Sequence, residues 1–212
     1  MATTRQGGST GEQTKTAIRG AAVRVIAKHG FQAASLRDIA KEVGIQAPSL
    51  YNYIKSKEKL LFELLHEPLE AMIAEYRTLT LGVKDPAARL ETFTQVHLNF
   101  HLNSRLEVFI GNMELRSLSP AHYRTITGLR EEYARLLQSI IEDGGKAGIF
   151  VAPEPRVVAL VMLGLLSGVC NWYKPEGPMS AQEMVQLHLD LAFRALGAKP
   201  PTAAKVARRK AA

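Results

Sequence analysis

The stretch "SLYNYIKSKEK" gathers Tyr51, Asn52 and Tyr53 with Lys55, Lys57 and Lys59. Phenol and amide groups donate to and accept from polar edges, and ammonium groups meet fixed negative charge. Spacing decides which of them act together. At about 100° per residue, Leu50, Tyr53 and Ile54 share one side of a helix, while Pro48, Ser49, Tyr51 and Asn52 lie on or beside the other. Two helical turns are not stable alone. The apolar side must therefore dock on neighbouring helices, and the polar side is left to solvent.

A second set lies in "HLNFH", where His97 and His101 stand at i and i+4, a spacing that can bring two imidazoles to one metal. His97 is not followed by the Glu of the zinc-protease helix, and no third ligand is nearby, so no metal site is expected. The alternative is an all-α metal-binding sensor or enzyme built on these two histidines. Cys170, two residues before Trp172, reads as a small core hydrophobe. "DGGKAG" lacks the preceding strand and the lysine placement of a phosphate loop. No catalytic set emerges, and no cofactor is implied.

The elements that must position these residues are helices. Nearly every long segment repeats its apolar residues near the helical period, and none alternates as a strand does. A first helix over 12–28 turns Ile18, Ala21, Ala22, Val25 and His29 inward and ends at Gly30. A second opens at Ser35, with Asp38 completing a capping box and Leu36, Ile39, Ala40 and Val43 inward, and stops at Gly44. A third covers 47–53, with Pro48 tolerated in its first turn. Ser56 caps a fourth that reaches 79 through Leu60, Leu61, Leu64, Leu65, Leu69, Met72, Ile73 and Tyr76, with a kink expected before Pro68. Further helices start at Asp85, Ser119, Glu154 and Ser180, and "GGKAGIFVAP" is expected as a loop.

Composition sets the limits. A chain of 212 residues, 46% hydrophobic and 22% charged, has the balance of a globular protein, and a net charge of +7 suggests an anionic partner. One cysteine excludes an intramolecular disulfide and fits a reducing compartment, so a cytoplasmic location is expected. "MATTRQGGSTGEQ" lacks the apolar core of a secretory signal. The run "VVALVMLGLLSGVC" is shorter than the ~20 residues of a membrane span, so no membrane partner is expected.

Two helices joined by a tight glycine turn, the second exposing short polar and aromatic groups, match the helix-turn-helix motif, whose second helix enters a DNA major groove. The lysines fit that setting because phosphate neutralisation supplies most non-specific affinity. Lys57, in the first turn of the fourth helix, stands where free amides and the helix dipole also favour phosphate. As quoted, "AAVRVIAKHGF", "SLRDIAKEVGI", "PSLYNYI" and "SKEKLL" resemble the N-terminal domain of the TetR family of bacterial transcriptional repressors, over about residues 18–65. The resemblance implies an N-terminal three-helix DNA-binding domain joined by a long helix to a C-terminal helical ligand-binding and dimerisation domain. The boundaries are a flexible arm 1–13, DNA binding by 14–60, effector binding and dimerisation by 61–197, and a disordered basic tail 198–212.

By position, the resemblance puts Arg37 at a base edge or phosphate, Pro48, Ser49 and Asn52 at bases, and Ser35, Tyr51, Tyr53 and Lys57 on phosphates of a near-palindromic double-stranded operator. Tyr53 reads equally well as a core tyrosine. Gln46 stands where the family has a serine cap, and Ile54 replaces an aromatic residue. Arg5 and the tail cations Lys205 and Arg208 to Lys210 read as added DNA contact or as a solubilising surface.

For the larger domain the resemblance implies a homodimer and a small-molecule effector. Val158, Val161, Met162, Leu165 and Val169 on one helix, with Met184, Leu187, Leu191 and Arg194 on another, are the expected dimer face. The expected pocket is lined by Phe93, Phe100, Phe109, Met113, Tyr133, Leu166 and Trp172, with His97, His101, Arg116 and Arg130 as polar handles. "MELRSLSP", "LREEYARLL" and "NWYKPEGPMSAQE" resemble a TetR subgroup associated with fatty-acid, sterol and other acyl-CoA catabolism, which implies an acyl-CoA effector.

Overall fold

A computed structural model describes residues 7–199, which are helical throughout apart from turns and connections. Arg5, Lys205 and Arg208 to Lys210 lie outside the described residues. The chain divides into two compact units. One comprises the chain up to Glu70 together with Ser104–Leu129; the other comprises Ala71–Asn103 and the chain from Arg130 onward.

The first unit contains α1 (Gly7–Ala33), α2 (Leu36–Val43), α3 (Ala47–Leu50), the first half of α4 (Lys57–Leu79), α6 (Arg105–Met113), a 3-10 turn (Leu115–Ser117) and the start of α7 (Pro120–Lys146). Its core is the set that helical periodicity selects: Ile18, Ala21, Ala22 and Val25 on α1, Ile39 and Ala40 on α2, Leu50 on α3, and Leu60, Leu61, Leu64 and Leu65 on α4. Ile110 and Ile126 join it from α6 and α7. Two expectations need correction. The first helix opens at Gly7, not at 12, and His29 is exposed, on the last turn before the backbone leaves helical geometry at Gly30 (φ 75°, ψ 157°).

The turn between α2 and α3 rests on Gly44, whose φ of 80° is left-handed and whose N–H donates to the Ala40 carbonyl at 3.0 Å. Only a residue without Cβ adopts that backbone at no steric cost. Ser56 caps α4, its Oγ accepting the Lys59 N–H at 3.0 Å. Pro68 lies inside α4 and cannot donate to the Leu64 carbonyl. The boundary between the units falls within the same helix, after Glu70.

The second unit holds the remainder of α4 and α7 with α5 (Pro86–Asn103), α8 (Pro155–Ser167), α9 (Val169–Trp172) and α10 (Ala181–Ala195). The starts at Asp85 and Ser180 are where the sequence puts them: Asp85 accepts the Ala87 N–H at 3.1 Å, and Ser180 and Glu183 close a capping box. Arg89 ties α5 to α7 through Asp143 at 2.7 Å. Leu98, Leu102, Leu166, Val169, Tyr173 and Met184 form one buried cluster. Three boundaries differ from expectation. The helix expected to run unbroken from 155 divides at Gly168, and α6 is a separate helix after Asn103. The expected loop is helical as far as Lys146, and Phe150 packs so closely on Gly144 that a Cβ there would strike its ring.

Candidate nucleic-acid interface and effector core

α3 proper is four residues long, but the chain keeps coiling beyond it. The N–H groups of Tyr51, Asn52 and Tyr53 bond to the carbonyls of Pro48, Ser49 and Leu50, three residues back, at 3.3, 3.3 and 2.9 Å. A three-residue period stacks side chains i and i+3. Leu50 and Tyr53 therefore face the core, Leu50 fully buried and Tyr53 partly, while Pro48 with Tyr51 and Ser49 with Asn52 form two rows on the outer side. Tyr51 is 61% exposed, and Pro48, Asn52 and Arg37 are also exposed. Gln46 precedes the helix without a side-chain capping bond.

Two assigned phosphate ligands are engaged elsewhere. Both donors of Ser35, its N–H and its hydroxyl, go to the Asp38 carboxylate, and its Oγ accepts the Asp38 N–H at 3.1 Å. The Ser35 hydroxyl and N–H in turn hold the Asp38 carboxyl below its ordinary pKa. Ser35 thus works as a helix cap. Lys57 turns its ammonium back to the end of α1, donating to the carbonyls of Phe31 at 2.7 Å, Ala34 at 2.9 Å and Gln32 at 3.3 Å, over the Phe31 ring at 4.4 Å. The free carbonyls of a helix end attract a cation as a phosphate does.

In the second unit α5 carries a polar row through an apolar core. His97 is buried, with Nδ1 3.3 Å from the Tyr133 hydroxyl and Nε2 3.1 Å from Ser167 Oγ. His101 stacks on it with ring centroids 3.8 Å apart, and its Nδ1 donates to the His97 carbonyl at 2.8 Å. Burial, with His101 and His188 nearby, holds His97 well below its ordinary pKa, and burial lowers His101 to about 4. Both ring nitrogens of His97 are thus engaged by hydroxyls, and among the described residues no three or more His, Cys, Asp or Glu gather as metal ligands.

Of the expected pocket residues, Phe93 stacks on Tyr133 at 4.7 Å and on the His97 side of the same core, and Phe100 lies edge-on to His101 at 5.6 Å. Leu166 is a plain core residue of the buried cluster. Trp172 is 56% exposed, stacked on His188. Arg130 is half-buried on α7. Phe109, Met113 and Arg116 belong to the other unit and are exposed there. Sequence reading passed over Thr94, one turn before His97, whose hydroxyl is buried without a hydrogen-bond partner among the described residues. Its signal was the spacing of Thr94, His97 and His101 at i, i+3 and i+7. Glu114 and the Glu58–His122 pair were also missed. Their partners are 61 to 83 residues away, beyond any local pattern.

Residues 18–64 match the model of the bacterial regulatory proteins of the tetR family, and residues 83–196 match the Tetracyclin repressor-like C-terminal domain. The HTH-type transcriptional repressor KstR2 of Rhodococcus jostii is 26% identical over 184 residues, 86% of this chain and 90% of that protein. The crystal structure of a bacterial regulatory protein in the tetR family from Rhodococcus RHA1 superposes with a TM-score of 0.79 at 27% identity, covering 88% of this chain and 98% of that one. AibR, crystallised with isovaleryl coenzyme A and operator DNA, shares the fold at a TM-score of 0.74 and 21% identity, covering 89% and 99%. With both halves of the chain matched, the protein belongs to the TetR family and is a DNA-binding transcriptional regulator.

Proposed function

We propose that the protein is a dimeric repressor that holds a near-palindromic operator and is released from it by an acyl-CoA thioester. The observation that carries the DNA reading is the outer face of α3 and its following turn: Pro48, Ser49 and Asn52 meet base edges, and Tyr51 meets phosphate. Arg37 adds a base or phosphate contact from α2. Tyr53, half-buried against the core, acts through its hydroxyl at the rim. Residues 14–60 read DNA, and residues 61–197 bind effector and dimerise. The work takes place in the cytoplasm.

The effector reading is supported by the polar row of Thr94, His97 and His101, with Phe93, Phe100 and Tyr133 beside it. A buried hydroxyl without a partner is rare in a settled core and marks a place where a ligand's polar group gains a bond. Arg130 supplies positive charge on α7 in the same unit. AibR binds isovaleryl coenzyme A, and a thioester of this kind is apolar at one end and anionic at the other. The deciding experiment screens acyl-CoAs against their free acids by thermal shift and by release of an operator selected from random duplexes. Thioesters are expected to raise the melting temperature and release DNA at micromolar concentrations. A response to neutral compounds with none to any thioester would end the acyl-CoA reading.

A further inference from the structure

We propose that Lys57 and Glu114 are positioning residues for DNA recognition, a two-sided clamp on Phe31 that fixes the corner from which α2 and α3 are hung. Phe31 is buried, and both of its backbone polar groups are held by charged side chains. Its carbonyl accepts from Lys57 Nζ at 2.7 Å, and its N–H donates to Glu114 Oε1 at 3.0 Å. Lys57 is the first residue of α4, and Glu114 follows the last residue of α6. The ammonium also takes the carbonyls of Gln32 and Ala34, so its three donors match three acceptors around a compact charge. The other Glu114 oxygen accepts the Ser117 hydroxyl at 2.9 Å, which fixes the carboxylate's direction. α2 starts at Leu36, two residues beyond the last clamped carbonyl. Loosening the corner therefore shifts the frame of the whole recognition motif while leaving the residues that touch DNA intact.

The clamp rests on the DNA-binding reading, and salt separates it from a phosphate contact. Each phosphate a lysine neutralises contributes about 0.9 to the slope of log affinity against log salt. Full-length Lys57→Met, Glu114→Ala and Glu114→Gln, checked for wild-type helicity by circular dichroism, would be titrated with the duplex that wild type enriches from a random pool, between about 50 and 200 mM salt. Lys57→Met and Glu114→Ala are each expected to weaken binding about tenfold or more, with the slope unchanged. Glu114→Gln should restore affinity, since its amide oxygen still accepts the Phe31 N–H. A slope reduced by about 0.9 in Lys57→Met, wild-type affinity in Glu114→Ala, or no recovery in Glu114→Gln would each overturn the clamp. If Lys57→Met does not fold, the Glu114 pair decides alone. Failure of wild type to enrich any duplex would instead overturn DNA binding, and the clamp with it.

Discussion

At the scale of single residues, the outer row of α3 and the buried histidines make separable demands. The proposed reading gives the neighbours Tyr51 and Asn52 different tasks. Tyr51→Ala should weaken binding to all duplexes alike, because phosphate contacts carry no sequence information, whereas Asn52→Ala should relax preference at particular base pairs. Selection from random duplexes reads both effects, and unchanged affinity in a folded Tyr51→Ala would remove that residue from the interface. The histidines set a pH limit. In the unfolded chain His97 and His101 titrate near about 6.5, while in the fold His101 is lowered to about 4 and His97 is lowered well below its ordinary value. The unfolded state therefore binds protons that the folded state refuses. Stability from this pair is full above about pH 6.5 and is lost as pH falls toward about 4. Urea midpoints should decline from about pH 7.5 to about pH 5, less steeply in His101→Asn; equal midpoints at both would refute it. The exposure of Tyr51 was legible from helical projection, because it follows from the face the residue occupies. The bonds of the Lys57 ammonium were not, because the carbonyls that accept them are 23 to 26 residues away and a lysine at a helix start looks the same whether it meets a phosphate or a helix end.

At the scale of elements, side-chain chemistry at helix starts was readable and breaks inside apolar runs were not. Ser35 and Ser180 declare their capping boxes through an acidic residue three positions on, and both boxes form. The break before α6 and the one at Gly168 have no comparable signal. Asn103 and Ser104 sit in a continuous helical pattern, and Gly168 keeps right-handed helical dihedrals (φ −58°, ψ −24°). Two glycines give opposite tests. At Gly44 an added Cβ meets no heavy atom within 4 Å but must accept a φ of 80°. Gly44→Ala should therefore cost about 1–2 kcal/mol through the backbone alone. At Gly144 the dihedrals are helical but the Cβ would fall on the Phe150 ring, so Gly144→Ala should cost about 1–3 kcal/mol through packing. A second substitution, Phe150→Leu, should recover part of the Gly144 loss and none of the Gly44 loss. Denaturant midpoints of the two singles and two doubles distinguish the mechanisms, and an undisturbed Gly144→Ala would show that Phe150 packs elsewhere.

At the scale of the whole molecule the question is what covers α8. The 18 residues of Pro155–Trp172 are apolar enough by composition to span a bilayer, yet only 28% of them are buried. Sequence reading chose Val158, Val161, Met162, Leu165 and Val169 as the outer stripe, but Met162 and Val169 are core residues and Val158 is half-buried. A helix apolar on nearly every side has no periodicity to tell its inner face from its outer one. The face left open is Val157, Leu160, Val161 and Leu165, with Leu187 and Leu191 of α10 exposed in the same unit. Patches of this kind seldom stay open in soluble chains, and two α8–α10 pairs related by a two-fold axis would close into a four-helix bundle. Replacing Val161, 65% exposed, and Leu165, 40% exposed, with lysine should therefore leave each subunit's core intact while placing like charges across the axis. Sedimentation should report monomers of wild-type helicity. Affinity for the full palindrome should fall about a hundredfold or more as the second half-site ceases to be an intramolecular partner, while affinity for a single half-site duplex stays the same. A double variant that still sediments as a dimer would place the subunit interface on another face.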